Sequence, residues 1–572
     1  MTKLDDLKWW QKAVFYQIYP RSFADGNGDG IGDLRGITDK LSYLQDLGIE
    51  AIWLSPHYPS PLYDCGYDIA DYTDVAPEYG LLGDFQRFLD AAHRRGMRVI
   101  LDLVLNHTSH KHQWFIESRT SRDNPKRDWY IWREGRDGGP PNNWNSTFGG
   151  SAWEYDPRTG QYYYHFFFKE QPDLNWRNSE VKAAMFNDVR FWLDMGIDGF
   201  RLDAIDTIYE HPEMPDHEAE LSQEELFRRS IGERWDEANK KLAEQWETMF
   251  EYQVRRPGIH ALFKELRALI DEYDDRMLVG ETSDVKFYGD GSDELHMAFN
   301  FPLMRTPRLT PDWVRANQEV RLSVLPPRAW PCNTLGNHDA PRVYSRYGDG
   351  EHDDALARLS LALMLTLRGT PFLYNGEEIG MTDYCFTDID RFQDLWGLWH
   401  YEMRREILDA TPEEATRHAA ESGRDKCRTP MQWADAPNGG FCPPDVTPWL
   451  PVNPNYAEGV NVAEQEDDPD ALLNFYRAMI QMRQRTPALI AGDYTPLLEV
   501  GVDVLAFLRR SEEQTCLVVL NFSEQAHTLA FDLSEAADSA QTIFSNRERA
   551  DATPLIAFEI APFEIYIGEI EA

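Results

Sequence analysis

Basic residues are scarce in this chain: 57 Lys and Arg face 97 Asp and Glu over 572 residues, a formal charge of −40. Nucleic acids and anionic membranes both need a basic surface, so neither is expected as a partner. Cysteine is scarce too. Six are scattered (Cys65, Cys332, Cys385, Cys427, Cys442, Cys516) with no Cys-x-x-Cys pair, which suits reduced thiols and a cytoplasmic protein. Long apolar runs are missing. The longest, Leu359 to Leu367 between Arg358 and Arg368, is too short to span a bilayer and reads as a buried helix. The first residues, MTKLDDLKWWQKAVFYQIYP, carry acids where a secretory signal needs a basic head and an apolar core, so none is expected. No Gly-x-Gly-x-x-Gly opens a helix after a strand, which argues against a nucleotide or other organic cofactor.

What is present is the composition of a folded globular protein, 42% hydrophobic and 13% aromatic. Short apolar runs recur, each ending in polar residues and followed by an amphipathic stretch. The strand candidates are Val14–Pro20, Ala51–Pro56, Val99–His107, Ile197–Asp203, Met277–Glu281, His296–Phe301, Cys332–Asp339 and Pro371–Glu378. They do not alternate strictly, as expected of strands buried on both faces of a parallel sheet. Eight strand–helix units predict an α/β fold, a (β/α)8 TIM barrel over residues 1–106 and 177–487. Residues 107–176, rich in Trp, Tyr, Asn and Gly, read as a subdomain inserted after the third strand. The charged segment 208–255 is a second, helix-prone insertion. From 488 to 572 the pattern turns to alternation (DVLAFLRR, CLVVLNF, HTLAFDL), which predicts a C-terminal antiparallel β-sandwich.

Barrels of this kind keep catalytic groups at the C-terminal ends of their strands. There the sequence places Asp102, Asn106 and His107, then Arg201 and Asp203, then Glu281, then Asn337, His338 and Asp339. Asp203, Glu281 and Asp339 would converge at one mouth. Clustered carboxylates hold a divalent metal or cleave a glycosidic bond. Cleavage needs one carboxylate at the anomeric carbon and one protonated carboxyl at the leaving oxygen, in different surroundings. Arg201, two residues before Asp203 on the same strand face, would keep Asp203 ionised. Glu281 follows apolar Met-Leu-Val-Gly with no basic sequence neighbour, which suits the acid.

DLVLNH (Asp102–His107), GFRLDAI (Gly199–Ile205), GET (Gly280–Thr282) and NHD (Asn337–Asp339) resemble, in order, the short conserved regions of glycoside hydrolase family 13, the α-amylase superfamily. QPDLNW (Gln171–Trp176), YQIYPRSFADGNGDGIGDLRGI, GYDIADY, EEIGM and RTPMQW are similar to phrases of its oligo-1,6-glucosidase and α-glucosidase branch. The resemblance implies Asp203 as nucleophile, Glu281 as acid/base and Asp339 as the carboxylate that steadies a distorted sugar. It implies His107, His338 and Arg201 as ligands of sugar hydroxyls or supports of the nucleophile, Tyr67 as a stacking platform and Gln171 beside the pocket. Asp64 and Arg424 would close the non-reducing end, making the enzyme exo-acting on a small oligosaccharide or disaccharide. GRDKCRTPMQW departs from the branch at Lys426-Cys427, and YNGEE at Asn375. Ala204, after the nucleophile, stands where valine accompanies α-1,6 preference, so α-1,4 links are expected. Sugar isomerases of the trehalose- or isomaltulose-synthase kind and sucrose-cleaving relatives share all three carboxylates. Non-enzymatic relatives usually lose them. No oligomeric state follows from any of this.

The stretch DGNGDGIGD adds a metal expectation. Asp25, Asn27, Asp29 and Asp33 fill positions 1, 3, 5 and 9 of an EF-hand loop, with Ile31 offering its carbonyl and Gly30 the turn. The twelfth position is Gly36, so the bidentate glutamate is missing, and a strand precedes the loop rather than a helix. The reading is a structural divalent site, for Ca2+ or Mg2+, rather than a calcium sensor. His110 and His112 near His107 lack a Cys or Glu at zinc spacing and read as loop histidines.

Overall fold

In a computed structural model the chain is described over residues 3–230, 237–531 and 538–570. Eight short parallel strands form the centre. They are β1 (Phe15–Ile18), β2 (Ala51–Leu54) and β3 (Arg98–Val104), then, past three strands of the first insertion, β7 (Gly199–Asp203), β8 (Met277–Gly280), β9 (Met297–Ala298), β10 (Cys332–Thr334) and β11 (Thr370–Tyr374). Their order is β10-β11-β1-β2-β3-β7-β8-β9, and a parallel bridge from Phe299 to Cys332 joins the two ends. The barrel expected from the eight apolar runs is therefore present. Nearly every strand residue is buried, which is why these runs do not alternate. One glycine is required by space: a Cβ on Gly199 would sit 2.2 Å from the Met277 carbonyl oxygen of the neighbouring strand.

The first insertion folds into a small antiparallel sheet in the order β4-β6-β5 (Trp132–Arg133, Gln161–Tyr164 and Trp153–Asp156) over a core that includes Trp144 and Trp153. The second contributes the helices Gln223–Ser230 and Glu237–Phe250. The apolar run at 359–367 forms, as expected, the end of a buried helix, Asp353–Thr366, with Leu367 as its C-cap. A further pair of helices, Leu395–Ile407 and Pro412–Ser422, stands out from the chain after β11; the strand–helix pattern does not anticipate it.

After the helix Leu472–Gln484, the C-terminal strands β12 (Asp493–Leu497), β13 (Val504–Arg510), β14 (Thr515–Asn521), β15 (His527–Leu529), β16 (Ser539–Ser545), β17 (Ala552–Pro554), β18 (Phe558–Ile560) and β19 (Ile565–Glu569) follow. Six make one antiparallel sheet, β12-β13-β14-β19-β16-β17, and β15 pairs with β18 beside it. Buried arginines tie this part to the barrel by donating to backbone carbonyls across the join: Arg483 of the helix Leu472–Gln484 to Leu489, and Arg509 of β13 to Thr366. Each fork satisfies carbonyls that the ends of helices leave without intrahelical partners. All six cysteines are free thiols, and no described helix is long and apolar enough to cross a membrane.

Candidate active site

The register of β3, β7 and β8 sets the centre. Asp102 pairs with Arg201, Val104 with Asp203 and Leu202 with Gly280, so Asp102 and Arg201 share one level and Asp203 and Glu281 the next on the same face. Arg201, 1% exposed, is the hub. Its Nη1 lies 2.6 Å from Asp102 Oδ1 and 2.7 Å from Asp203 Oδ1, and its Nη2 lies 2.9 Å from Glu281 Oε2. The Ala204 N–H also donates to Glu281 Oε2, at 2.9 Å. That donation comes from a backbone held at φ 44°, left-handed and uncommon for a residue with a Cβ.

This geometry corrects one expectation. Glu281 has no basic neighbour in sequence, yet the adjacent strand supplies one. Arg201 also fails to act on Asp203 alone. Burial pushes the Asp203 carboxyl well above its usual range; Arg201 opposes this, but Glu281 and Asp102 add to it. Asp102 is pushed up to about 6, again by burial against Arg201. One guanidinium faces three carboxyls, Asp102 and Asp203 buried and Glu281 partly exposed, so like charges crowd around a single cation. Asp203 and Glu281 are held by the two prongs of the same guanidinium.

Asp339 lives in the opposite field. Burial alone would raise it, but His338, Arg428 and Arg424 outweigh burial and hold it well below the ordinary carboxylate range. Arg428 Nη2 is 2.5 Å from its Oδ1, and His338 Nε2 is 3.1 Å from its Oδ2. Burial lowers His338 to about 3, against the pull of Asp339. Arg424 extends the network. Its Nη2 contacts Asp64 Oδ1 at 2.8 Å and Asp394 Oδ1 at 2.6 Å, and Gln171 Nε2 donates to Asp64 Oδ2 at 3.0 Å. Gln171 also meets His107, whose pKa burial lowers to about 4.

A cavity of about 310 Å3 runs over this floor, lined among others by Asp64, Tyr67, His107, Asp203, Glu281, Asp339 and Arg424. Such a volume suits a small ligand. Arg201, Gln171 and His338 do not line it; they stand behind, holding the groups that do. Tyr67 lines it while stacked on His338, with centroids 5.3 Å apart and planes 5° off parallel. The insertion adds Phe148, Phe166 and Phe167 to its lining, and Arg255 and Arg305 line it too. Sequence reasoning missed Phe148, Asp394 and Arg428. For Arg428 a signal existed, since it opens RTPMQW. Asp394 sits at a helix start with no pattern to mark it.

The α-amylase catalytic domain matches residues 17–492, and the C-terminal domain of maltogenic amylases matches residues 497–567. The chain belongs to the α-amylase family. It is a glycoside hydrolase of that family's oligo-1,6-glucosidase branch. An oligo-1,6-glucosidase of Parageobacillus thermoglucosidasius is 40% identical over 98% of this chain and 99% of its own. A probable α-glucosidase of Rhizobium meliloti is 40% identical over 91% of each chain. Among solved structures, the trehalulose synthase of Pseudomonas mesoacidophila superposes with a TM-score of 0.88 at 38% identity, over 99% of this chain and 100% of that one. An isomaltulose synthase mutant of Erwinia rhapontici, in complex with sucrose, gives 0.86 at 37% identity, over 99% and 100%.

The loop from Asp25 to Asp33 follows the first strand and is curled by its own side chains. Asp25 accepts N–H groups from Asn27, Gly28 and Gly30, Asn27 accepts from Asp29, and Asp29 accepts from Ile31. Asp33 also caps the helix Leu34–Asp39, its Oδ1 accepting from Gly36 at 2.6 Å. Among the described residues no three His, Cys, Asp or Glu side chains gather to hold a metal. A cation here would instead be held by a mixed oxygen set: the Asp25 and Asp29 carboxylates, the Asn27 amide oxygen and the Ile31 carbonyl, with Asp33 behind them. An all-oxygen set fits a hard cation such as Ca2+ or Mg2+. His110 and His112 bind no common partner. His112 caps the helix Gln113–Ser118, and His110 meets the Glu170 carbonyl.

Proposed function

We propose that the protein is an exo-acting, retaining α-glucosidase that releases glucose from the non-reducing end of short α-glucosides, with maltose-type α-1,4 links preferred. The observation that carries this is a small cavity lined by both members of the Arg424–Asp64 ion pair and by Asp203 and Glu281, which one guanidinium, Arg201, holds at 2.7 and 2.9 Å. Retaining enzymes hold their two carboxyls about 5–5.5 Å apart, whereas inverting ones need roughly 6.5–9.5 Å to admit a water between acid and sugar. Two carboxyls gripped by the two prongs of one guanidinium lie close together, which favours the former.

In the first step Asp203 attacks the anomeric carbon as Glu281 gives its proton to the glycosidic oxygen; the C–O bond breaks and the aglycone departs as an alcohol. In the second, Glu281 takes a proton from water, whose oxygen displaces Asp203 and frees glucose. The site suits this alternation. Arg201 and the Ala204 N–H stabilise Glu281 when it is ionised, and Arg201 takes the charge of Asp203 when it attacks. Asp339, held ionised, faces the cavity as an acceptor for sugar hydroxyls.

A panel of maltose, isomaltose, sucrose and trehalose, with products separated by chromatography, tests the reading. Free glucose from maltose is expected. A second reading, a sugar isomerase, draws on the likeness to trehalulose synthase; isomeric disaccharides with little free glucose would establish it instead. Linkage rests on Ala204, which lines the cavity beside Glu281 and whose small side chain would leave room for the aglycone. Ala204→Val should lower the maltose-to-isomaltose ratio of kcat/KM by about tenfold, the order expected for one or two methyl groups in a pocket. An unchanged ratio would remove Ala204 as the determinant.

We further propose that the 25–33 loop holds a structural cation that pins the first strand–helix connection, and that the protein works in the cytoplasm with its six thiols reduced. A bound cation adds to stability by mass action. Chelation should therefore lower Tm by several degrees while turnover in the cold changes little. A chelator without effect on Tm would mean a loop closed by its own hydrogen bonds alone.

A further inference from the structure

Behind the cavity, on β1, lies Gln17, 1% exposed and remote in sequence from every carboxylate of the site. Its amide Nε2 is 2.9 Å from Ser55 Oγ and 2.7 Å from Nδ1 of His338. On the opposite edge of that ring, Nε2 is 2.7 Å from the Tyr67 hydroxyl and 3.1 Å from Asp339 Oδ2. The ring lies nearly parallel to those of Tyr67 and Tyr19, with centroids at 5.3 and 5.8 Å. A neutral imidazole has one N–H, and only one of these two edges can donate.

We propose that Gln17 is a positioning residue for the glucosidase reaction: its amide donates to Nδ1 and so fixes the His338 tautomer with the proton on Nε2, facing Asp339 and Tyr67. The direction of the hydrogen bonds supports this. Asp339 is an acceptor only. Tyr67 donates its own proton to Asp102 Oδ2 at 3.1 Å, which leaves its oxygen free to accept from Nε2. The chain Gln17, His338, Tyr67, Asp102 then runs one way and ends on the carboxylate that Arg201 also holds. Turning the Gln17 amide over reverses the outcome. Nδ1 would have to carry the proton, and the Nε2 lone pair would face the Asp339 carboxylate. Two amide hydrogens would also stand where Oε1 now lacks a protein partner among the described residues. One repulsion and two orphaned donors are worse than one orphaned acceptor.

The role rests on the glycosidase reading of Asp339, but its test does not. Protein labelled with 15N-histidine, compared with His338→Asn to identify the signal, should show His338 neutral and protonated at Nε2. Gln17→Glu keeps the shape but replaces the donor by an acceptor, and should bring a proton onto Nδ1. In the same variant kcat for maltose should fall by roughly 10- to 100-fold, the scale of a misaligned reacting group, with KM changing less than about threefold. Placed in the His338→Asn background, Gln17→Glu should cost less than about twofold, because the effect passes through His338. A wild-type signal protonated at Nδ1 overturns the proposal by itself, even if the variant fails to fold. So does a Gln17→Glu protein that keeps the proton on Nε2 alone, or an equal loss in both backgrounds. If the wild type released no glucose at all, the activity reading would fall while the tautomer result stood.

Discussion

Asp203→Asn and Glu281→Gln are each expected to lower kcat for glucose release by about 10^4-fold or more, the scale seen when a nucleophile or its proton donor is removed. Both changes keep shape and remove only the carboxyl chemistry. They should differ in what still reacts. An aryl glucoside whose leaving group needs no proton should still transfer glucose to Asp203 in Glu281→Gln. The water step, which needs Glu281 as base, should then be slow, so a glucosyl adduct should accumulate on the peptide carrying Asp203. Mass spectrometry reads this directly; Asp203→Asn should give none. Neither variant should lose Tm. Each removes one of three carboxylates around a single buried guanidinium, where like charges already oppose one another. Near wild-type turnover in either protein would refute the assignment, and an adduct elsewhere would move the nucleophile.

The barrel was legible because its strands are short apolar runs with polar ends, and those ends put Asp203, Glu281 and Asp339 at one mouth. The rest depended on register and on distant returns of the chain. That Arg201 serves Glu281 as well as Asp203 follows from the pairing of β7 with β8, which sequence separation conceals. The left-handed backbone of Ala204, which turns its N–H onto Glu281, has no signal in an alanine. Asp394 carries no motif, yet it is fully buried against Arg424, and Arg424 holds its carboxyl down to about 2 although burial works against this. The ion pair that lines the cavity thus joins segments 360 positions apart, Asp64 and Arg424, and is backed by a residue that composition and periodicity pass over.

Arg201→Met should be the most destabilising single change at the site. The methionine keeps an apolar stem over Trp53, whose ring centroid lies 5.0 Å from the guanidinium carbon, but leaves three carboxyls without a cation. Breaking a buried pair by removing one partner costs about 3–5 kcal/mol. The loss should depend on pH, with a sign set by the carboxyls. Asp102 and Asp203 are already raised by burial in the wild type, against Arg201. A raised carboxyl means that the folded chain holds a proton the unfolded chain releases. Its contribution is fully present below the ordinary value near 4 and is lost as pH rises through the folded value. Without Arg201 these groups rise further, so the deficit should be full at about pH 7 and shrink towards pH 5 as the carboxyls protonate. Asp339 has the opposite sign. Held low, it contributes stability above the ordinary value that is lost as pH falls through its folded value. Its partners Arg428, Arg424 and His338 remain in both proteins, so it largely cancels in the difference. Urea midpoints of wild type and variant at the two pH values measure the effect. A deficit that stays constant, or grows towards acid, would mean that Arg201 stabilises by packing rather than by holding three charges. Arg201→Lys separates the two further: it restores a cation without the two-pronged fork, so it should recover part of the stability and little of the activity.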